Sequence, residues 1–380
     1  MIDLLSPIAA FANRLPLPPD DRAELEAAAH IISQGTPLQG LFLRDYAACF
    51  ISWAPRDPVV LPSDENAITS ALGDVAGAWY VLLCLARLPQ AQRDYALRGI
   101  PEEILWDTLR DYLFYMSEYR RVNGHCGIRR STTSWFLGHV SLRLFALGRL
   151  QYEYGPNPLQ AYVLQDTDGN LQALARPGDT YMDDGLPQGN GGLTDANPLS
   201  ATFCDAPDAY IGLPLGPAGL LSRQPVRYKK NQWSLLCGPG DHVVSMHIPT
   251  PGEPITPAVC QAAHDRARGF FAKYFPEYQP KLFSAVSWLL APFLRNMLSE
   301  NSNIVLFQDS LYRISHSSTH GSFSHFVFRS PGLSEREMLA LTPQTSLQRA
   351  ILERIRAGLP LYCGAGFTPF SIQSFDHKEN

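Results

Sequence analysis

The stretch Asp241–Tyr274, DHVVSMHIPTPGEPITPAVCQAAHDRARGFFAKY, constrains the fold more tightly than any other. Val243, Val244, Met246 and Ile248 form a mostly apolar, partly β-branched run, the pattern of a strand covered on both faces. Pro249, Pro251 and Gly252 end it. Thr256 and Pro257 then open a helix, with a hydroxyl at the N-cap and proline at the first helical position. Val259, Ala262, Ala263, Ala267, Phe270 and Phe271 recur at helical spacing, while Asp265, Arg266, Arg268 and Lys273 take the wetter face. A strand feeding a helix through a short loop presents free amides and a positive dipole end, where a phosphate or carboxylate can bind.

At 380 residues the chain is expected to form two domains and to bury enough apolar surface without covalent staples. Acids exceed bases by 36 to 31, and no basic stripe runs along any segment, so a nucleic-acid partner is not expected. Seven cysteines are scattered without a CxxC pair, which argues against a disulfide framework or structural zinc and for reduced core residues in a cytoplasmic protein. The N-terminus lacks the basic region of a signal peptide. The most apolar run, Val75–Ala86, is too short to span a bilayer and is bracketed by Asp74 and Arg87. It is read as a buried core helix, and no membrane partner is expected.

Residues 1–130 read as an all-α domain, with helices expected over 20–33, 64–88 (bent near Gly73) and 101–119. The polar, glycine-punctuated connector 119–130 is the expected boundary, and Ser134–Phe145 resumes as a helix. His125 beside Cys126 is weighed as a metal or nucleophile pair and set aside, because neighbours on a loop rarely converge. From residue 147 the texture changes to strands: 148–155, with 160–164 as its antiparallel partner. Residues 166–208, rich in Gly, Pro, Asp and Asn, read as a long insertion. Within it DTDGN (166–170) reads as a turn, not a calcium loop. A strand is expected over 281–290, a short helix over 292–299, a hairpin pairing 304–314 with 322–328, and a last helix over 345–357 stopped by Gly358. The second domain, 131–368, is thus an α+β or α/β sandwich with a mixed, mostly antiparallel sheet flanked by helices, followed by a tail, 369–380.

This order resembles the core of the GNAT acyltransferase fold. Six strings, GRLQYE (148–153), PGDHVVSMHIP (239–249), the helix of 255–276, SWLLAP (287–292), SNIVLFQ (302–308) and TSLQRAI (345–351), look like a bacterial two-domain family that joins a helical N-terminal domain to a GNAT-like C-terminal domain. The resemblance implies an N-acyltransferase with acyl-CoA or acetyl-CoA as co-substrate, no metal, and a small-molecule amine or peptide as acceptor. It implies that the strand before the long helix splays from its neighbour, so that the thioester lies between 244–248 and 284–288 with its diphosphate on the loop 250–258. The alternative is a GNAT-shaped ligand-binding or scaffold protein without catalysis. The loop PTPGEPITP departs from the family's glycine-rich phosphate loop: Pro249, Pro251, Pro254 and Pro257 have no N–H, and Glu253 adds a negative charge.

Aminolysis of a thioester needs a base for the amine and an acid for the thiolate. Glu153 and His247 are the candidate bases, and Tyr312 the candidate acid. Each has a plainer alternative: an exposed strand carboxylate, a loop-bracing histidine, a packing tyrosine. Ile248, Thr250, Gly252, Ile255, Thr256, Trp288 and Asn303 are the candidate CoA contacts; the plainer roles are core packing for Trp288 and helix capping for Asn303. His316, His320 and His325 cluster, but lack a carboxylate or cysteine at ligand spacing. Asp179, Asp183 and Asp184 on the insertion would favour a cationic or polar acceptor.

Overall fold

A computed structural model describes residues 2–50, 59–159, 161–189, 192–216, 218–250, 252–316 and 322–371. Pro251, His320 and the tail beyond 371 therefore lie outside the described residues. The chain divides into two compact units, Met1–Glu153 with Ile248–Gly252, and Tyr154–His247 with Glu253–Asn380.

The first unit is built of helices α1 (Leu5–Arg14), α2 (Pro19–Gln34), α3 (Thr36–Phe50), α4 (Glu65–Leu72), α5 (Ala78–Leu85), α6 (Leu88–Arg98), α7 (Glu102–Asn123) and α8 (Thr133–His139). All eight residues of α5 are buried, the fate expected for an apolar run of this length. Two buried carboxylates are satisfied by side chains and backbone from other helices and loops of the unit. The Asp45 carboxylate accepts from Ser63 N, Ser63 Oγ and Trp79 Nε1, and Asp111 accepts from Trp135 Nε1 at 2.9 Å and faces His139 Nε2 at 3.2 Å. His139 is thus a buried, bonded core residue. Cys126 is buried, and burial pushes its thiol well above the usual range.

The expected boundary at 130 and the expected helix 134–145 both shift. Helix α8 stops at His139, Leu142 turns the chain with φ 54, and Leu144–Leu147 becomes strand β1, paired antiparallel with β2 (Leu150–Pro156). Thr108 Oγ1 accepts from Ala146 N and donates to Ile104 O, which fastens β1 to α7.

In the second unit strand β3 (Ala161–Asp166) is followed, where a long insertion was expected, by the short strands β4 (Leu171–Ala175), β5 (Thr180–Tyr181), β6 (Leu199–Ser200) and β7 (Phe203–Asp205), then β8 (Ala209–Gly212), β9 (Pro214–Leu215), β10 (Ala218–Gly219), β11 (Val226–Lys229) and β12 (Trp233–Cys237). Strand β3 pairs with β4 and β12, not with residues 148–155 as expected. The DTDGN segment is a turn in which Asp166 Oδ1 accepts from Asp168 N and Asn170 N. The remaining elements are β13 (His242–His247), α9 (Pro257–Tyr274), β14 (Leu282–Ser287), α10 (Asn303–Asp309), β15 (Tyr312–Ser315), α11 (Glu335–Met338), α12 (Ser346–Arg356) and β16 (Gly364–Pro369). Five strands are joined in the order β13-β14-β16-β15-β10, with β13 parallel to β14, β10 parallel to β15, and β16 antiparallel to both its neighbours.

The expected hairpin 304–314/322–328 is absent. Ser302 caps α10 by accepting from Val305 N at 3.3 Å, β15 pairs with β16, and Phe323–Val327 is a short helical turn. The cap outweighs the β-branched Ile304 and Val305 that suggested a strand.

Helix α9 covers one face of β14. His264 stacks on Phe283 at 4.8 Å, and Arg268 lies 5.2 Å over the same ring. Burial, helped by the Arg268 cation, pushes the His264 imidazole down to about 4 from 6.5. Its folded value lies below its unfolded one, so the unfolded chain takes up the proton first. Stability from this source is complete above pH about 6.5 and falls as pH drops toward 4. In urea titrations His264→Phe is expected to flatten that slope by about 3 kcal/mol across the window; an unchanged slope would contradict the buried neutral histidine.

Candidate functional site

The site grows from the pairing of β13 with β14. Three pairs join them in parallel: Val243 with Leu282, Val244 with Phe283, and Ser245 with Ser284. There the ladder stops, although β13 continues to His247 and β14 to Ser287. Strand β14 keeps its other neighbour throughout, with Ala285, Val286 and Ser287 opposite Gly366, Ala365 and Gly364 of β16. The two strands therefore part at Ser245 and Ser284. Two residues on one arm and three on the other give a wedge with arms about 7–10 Å long. Its inner edges carry main-chain groups that no longer pair with each other.

Alternation along the strands assigns the side chains. Phe283 and its partner Val244 face α9. Ser245, His247, Ser284 and Val286 share the opposite face, where Val243 and Leu282 pack into a core with Ala161, Val163, Ala173 and Leu215. At the apex the buried hydroxyls of Ser245 and Ser284 lie 3.3 Å apart and share a hydrogen bond. His247, half-buried, stands two residues nearer the mouth on the same face. Neither serine was singled out from sequence, though a serine inside each of two apolar strands was visible there.

The helix start is as its sequence implies. Thr256 Oγ1 accepts from Val259 N at 3.4 Å, Pro257 follows at the first position, and Ile255 is buried. In the first unit, Arg149 Nη1 donates to Pro249 O at 3.0 Å, Ile248 is half-buried, and Thr250 and Gly252 are exposed, with Gly252 at φ 141. There Glu153 sits opposite Leu144, and its carboxylate accepts from Arg143 Nη2 at 2.9 Å, so it is a paired strand carboxylate.

Tyr312 and Asn303 lie on elements other than the two arms, and Trp288 follows the β14 arm directly. Tyr312 lies in the same cross-strand row as Phe367 and Ser284, but on β15, two strands beyond β14. Its hydroxyl donates to Leu215 O at 2.6 Å and accepts from Gln172 Nε2 at 3.1 Å, its ring stacks on Phe367, and burial raises its pKa. Trp288 opens a tight turn after the β14 arm and packs against Phe323 at 5.9 Å. Asn303 is the first residue of α10, and the cap is its neighbour Ser302. The acids of the former insertion are engaged internally: Asp179 with Arg176, Asp183 with Arg223, and Asp184 with Leu186 N. Among the described residues no three His, Cys, Asp or Glu side chains gather as metal ligands.

Residues 144–368 match the family described as the GNAT-like C-terminal domain, and residues 6–142 match the N-acyltransferase N-terminal domain. The chain belongs to this N-acyltransferase family. An acyltransferase variant solved with octanoyl-CoA has the same fold, at 23% identity over 94% of this chain and 85% of that one, with a TM-score of 0.62. So do an acyltransferase with CoA and 10C-teicoplanin (23%, 94% and 86%, 0.61) and one with decanoyl-CoA and teicoplanin (22%, 94% and 86%, 0.59). No curated protein matches the sequence. For this family member, Tyr312→Phe is expected to lower the unfolding free energy by about 1–2 kcal/mol, since Leu215 O loses its donor. Urea unfolding measures this, and unchanged stability would mean that the hydroxyl has no structural task.

Proposed function

We propose that the chain transfers an acyl group from an acyl-CoA to the amine of a small molecule. The observation that carries this reading is the end of the β13–β14 ladder at Ser245 and Ser284 while both strands run on. A slender pantetheine arm fits such a wedge, completing the broken ladder with its amides and bringing the thioester to the apex. His247 is the base: as the C–N bond forms, its imidazole takes the proton from the amine. The C–S bond breaks, and CoA leaves as a thiolate that takes its proton from water. Glu153, tied to Arg143, is assigned to holding the β1–β2 hairpin. Acyltransferases of this fold solved with octanoyl-CoA, decanoyl-CoA and teicoplanin support a medium-chain donor and a small-molecule acceptor as the first pair to assay.

Calorimetry with CoA and octanoyl-CoA, with thiol release in the presence of amines, tests the reading. Micromolar binding of CoA is expected. His247→Ala should lower kcat about 10²–10⁴-fold with little change in CoA affinity. If no acyl-CoA binds below millimolar, a scaffold without catalysis replaces the enzyme.

A further inference from the structure

The β13–β14 ladder ends on two hydroxyls. Ser284 is fully buried and Ser245 nearly so. Below them the same face is apolar: Val243 and Leu282 form the previous rung on that side, and Phe367 of β16 stands beside Ser284. A serine hydroxyl can donate once and accept twice. Among the described residues Ser284 Oγ makes one hydrogen bond, to Ser245 Oγ at 3.3 Å. That is longer than the ~2.7–2.8 Å usual between hydroxyls. Burying a hydroxyl on so weak a bond is unfavourable, and a β-branched aliphatic side chain suits a buried strand better. The sequence nevertheless places a polar pair at the one rung where the strands begin to part.

We infer that the Ser284 hydroxyl donates a hydrogen bond to the carbonyl oxygen of the acyl thioester as that oxygen gains charge, with Ser245 as its positioning residue. This rests on the acyl-CoA reading above. A group seated in the gap one step past the last rung lies about 3.3 Å along the strands from the pair. A pantetheine arm entering from the mouth carries sulfur at its tip and the acyl carbonyl beyond it, so the carbonyl comes nearest the hydroxyls. His247 stands two residues, about 7 Å, nearer the mouth on the same face. The thioester carbon is then flanked by the two groups. As the amine nitrogen bonds to that carbon, the C=O π pair moves onto oxygen, and the Ser284 O–H holds the charge without giving up its proton. His247 takes the proton from nitrogen. When the C–S bond breaks, its electron pair leaves with sulfur, C=O re-forms, and Ser284 is unchanged. With Ser245 donating across the 3.3 Å bond, the Ser284 hydrogen is left for the gap and is the stronger donor for it. A fixed donor in a water-poor site stabilises such a charge better than water does.

The test uses the full chain with octanoyl-CoA and with S-octyl-CoA, a thioether that lacks the carbonyl. In isotope-edited infrared spectra of bound octanoyl-CoA, Ser284→Ala is expected to move the carbonyl stretch to higher frequency, because the oxygen loses a hydrogen bond. Ser245→Ala should move it the same way and by less. With the amine that turns over in the thiol-release assay, Ser284→Ala should lower kcat about 10²–10³-fold, the loss of one oxyanion donor, with KM little changed. The Kd of S-octyl-CoA should stay the same in both variants, since it has no carbonyl to meet the hydroxyl. An unmoved carbonyl stretch in Ser284→Ala would overturn the assignment whatever the rate does, leaving the hydroxyls as a strut between strands. An equal loss of affinity for both ligands would overturn it too, because the serine would then shape the gap rather than meet the carbonyl. If the unaltered protein binds neither ligand, the acyl-CoA reading itself falls.

Discussion

Strand β14 holds one neighbour over six residue pairs and the other over three, and the rest of the second unit is shaped by that inequality. An isolated strand end with idle hydrogen-bonding groups is costly where water is scarce, at about 1–3 kcal/mol for each buried group left unsatisfied. The arm beyond Ser284 is kept in place by β16 and by the tight turn at its end. Ser287 Oγ accepts from Leu289 N, and Gln308 Nε2 donates to Leu289 O and Ala291 O, so α10 braces this turn. Gly364 lies so close to it that a Cβ would fall 2.0 Å from Leu290 O. The β14 wall of the wedge is thus held from behind.

The other wall is anchored differently. Tyr278, just past α9, donates its hydroxyl to Gly155 O and Val243 O, and its ring stacks on His242 at the start of β13. Helix α9 lies against Phe283 with His264 and Arg268. The paired bases of both strands are thus held firmly below the gap.

The strand, loop and helix of 241–274 were legible because their signals are local: a β-branched run, prolines, then Thr256 and Pro257 at a helix start. The wedge was not, since it depends on where a non-local ladder ends, and only the family resemblance suggested it. Strand β16 went unread because GAGFTP is poor in β-formers; its glycines are there for Leu290 and Leu311 to pack against. The short strands of 171–205 carry too few residues for a periodic signal. Tyr312, read as a candidate acid, has the partner of its hydroxyl, Leu215 O, far off in sequence, where no local pattern could show it.

Strand β16 also has a temporal meaning. It is threaded between β14 and β15 although its residues leave the ribosome after every other strand of that sheet. The helical unit has its residues to hand early, whereas the sheet must wait with β14 and β15 separated until the final ribbon arrives. During that interval each exposes an unpaired edge, the sort of surface chaperones cover. Nascent chains stalled before residue 364 would be held in that state, and a gap between ribbons could not be told from a sheet that had yet to close.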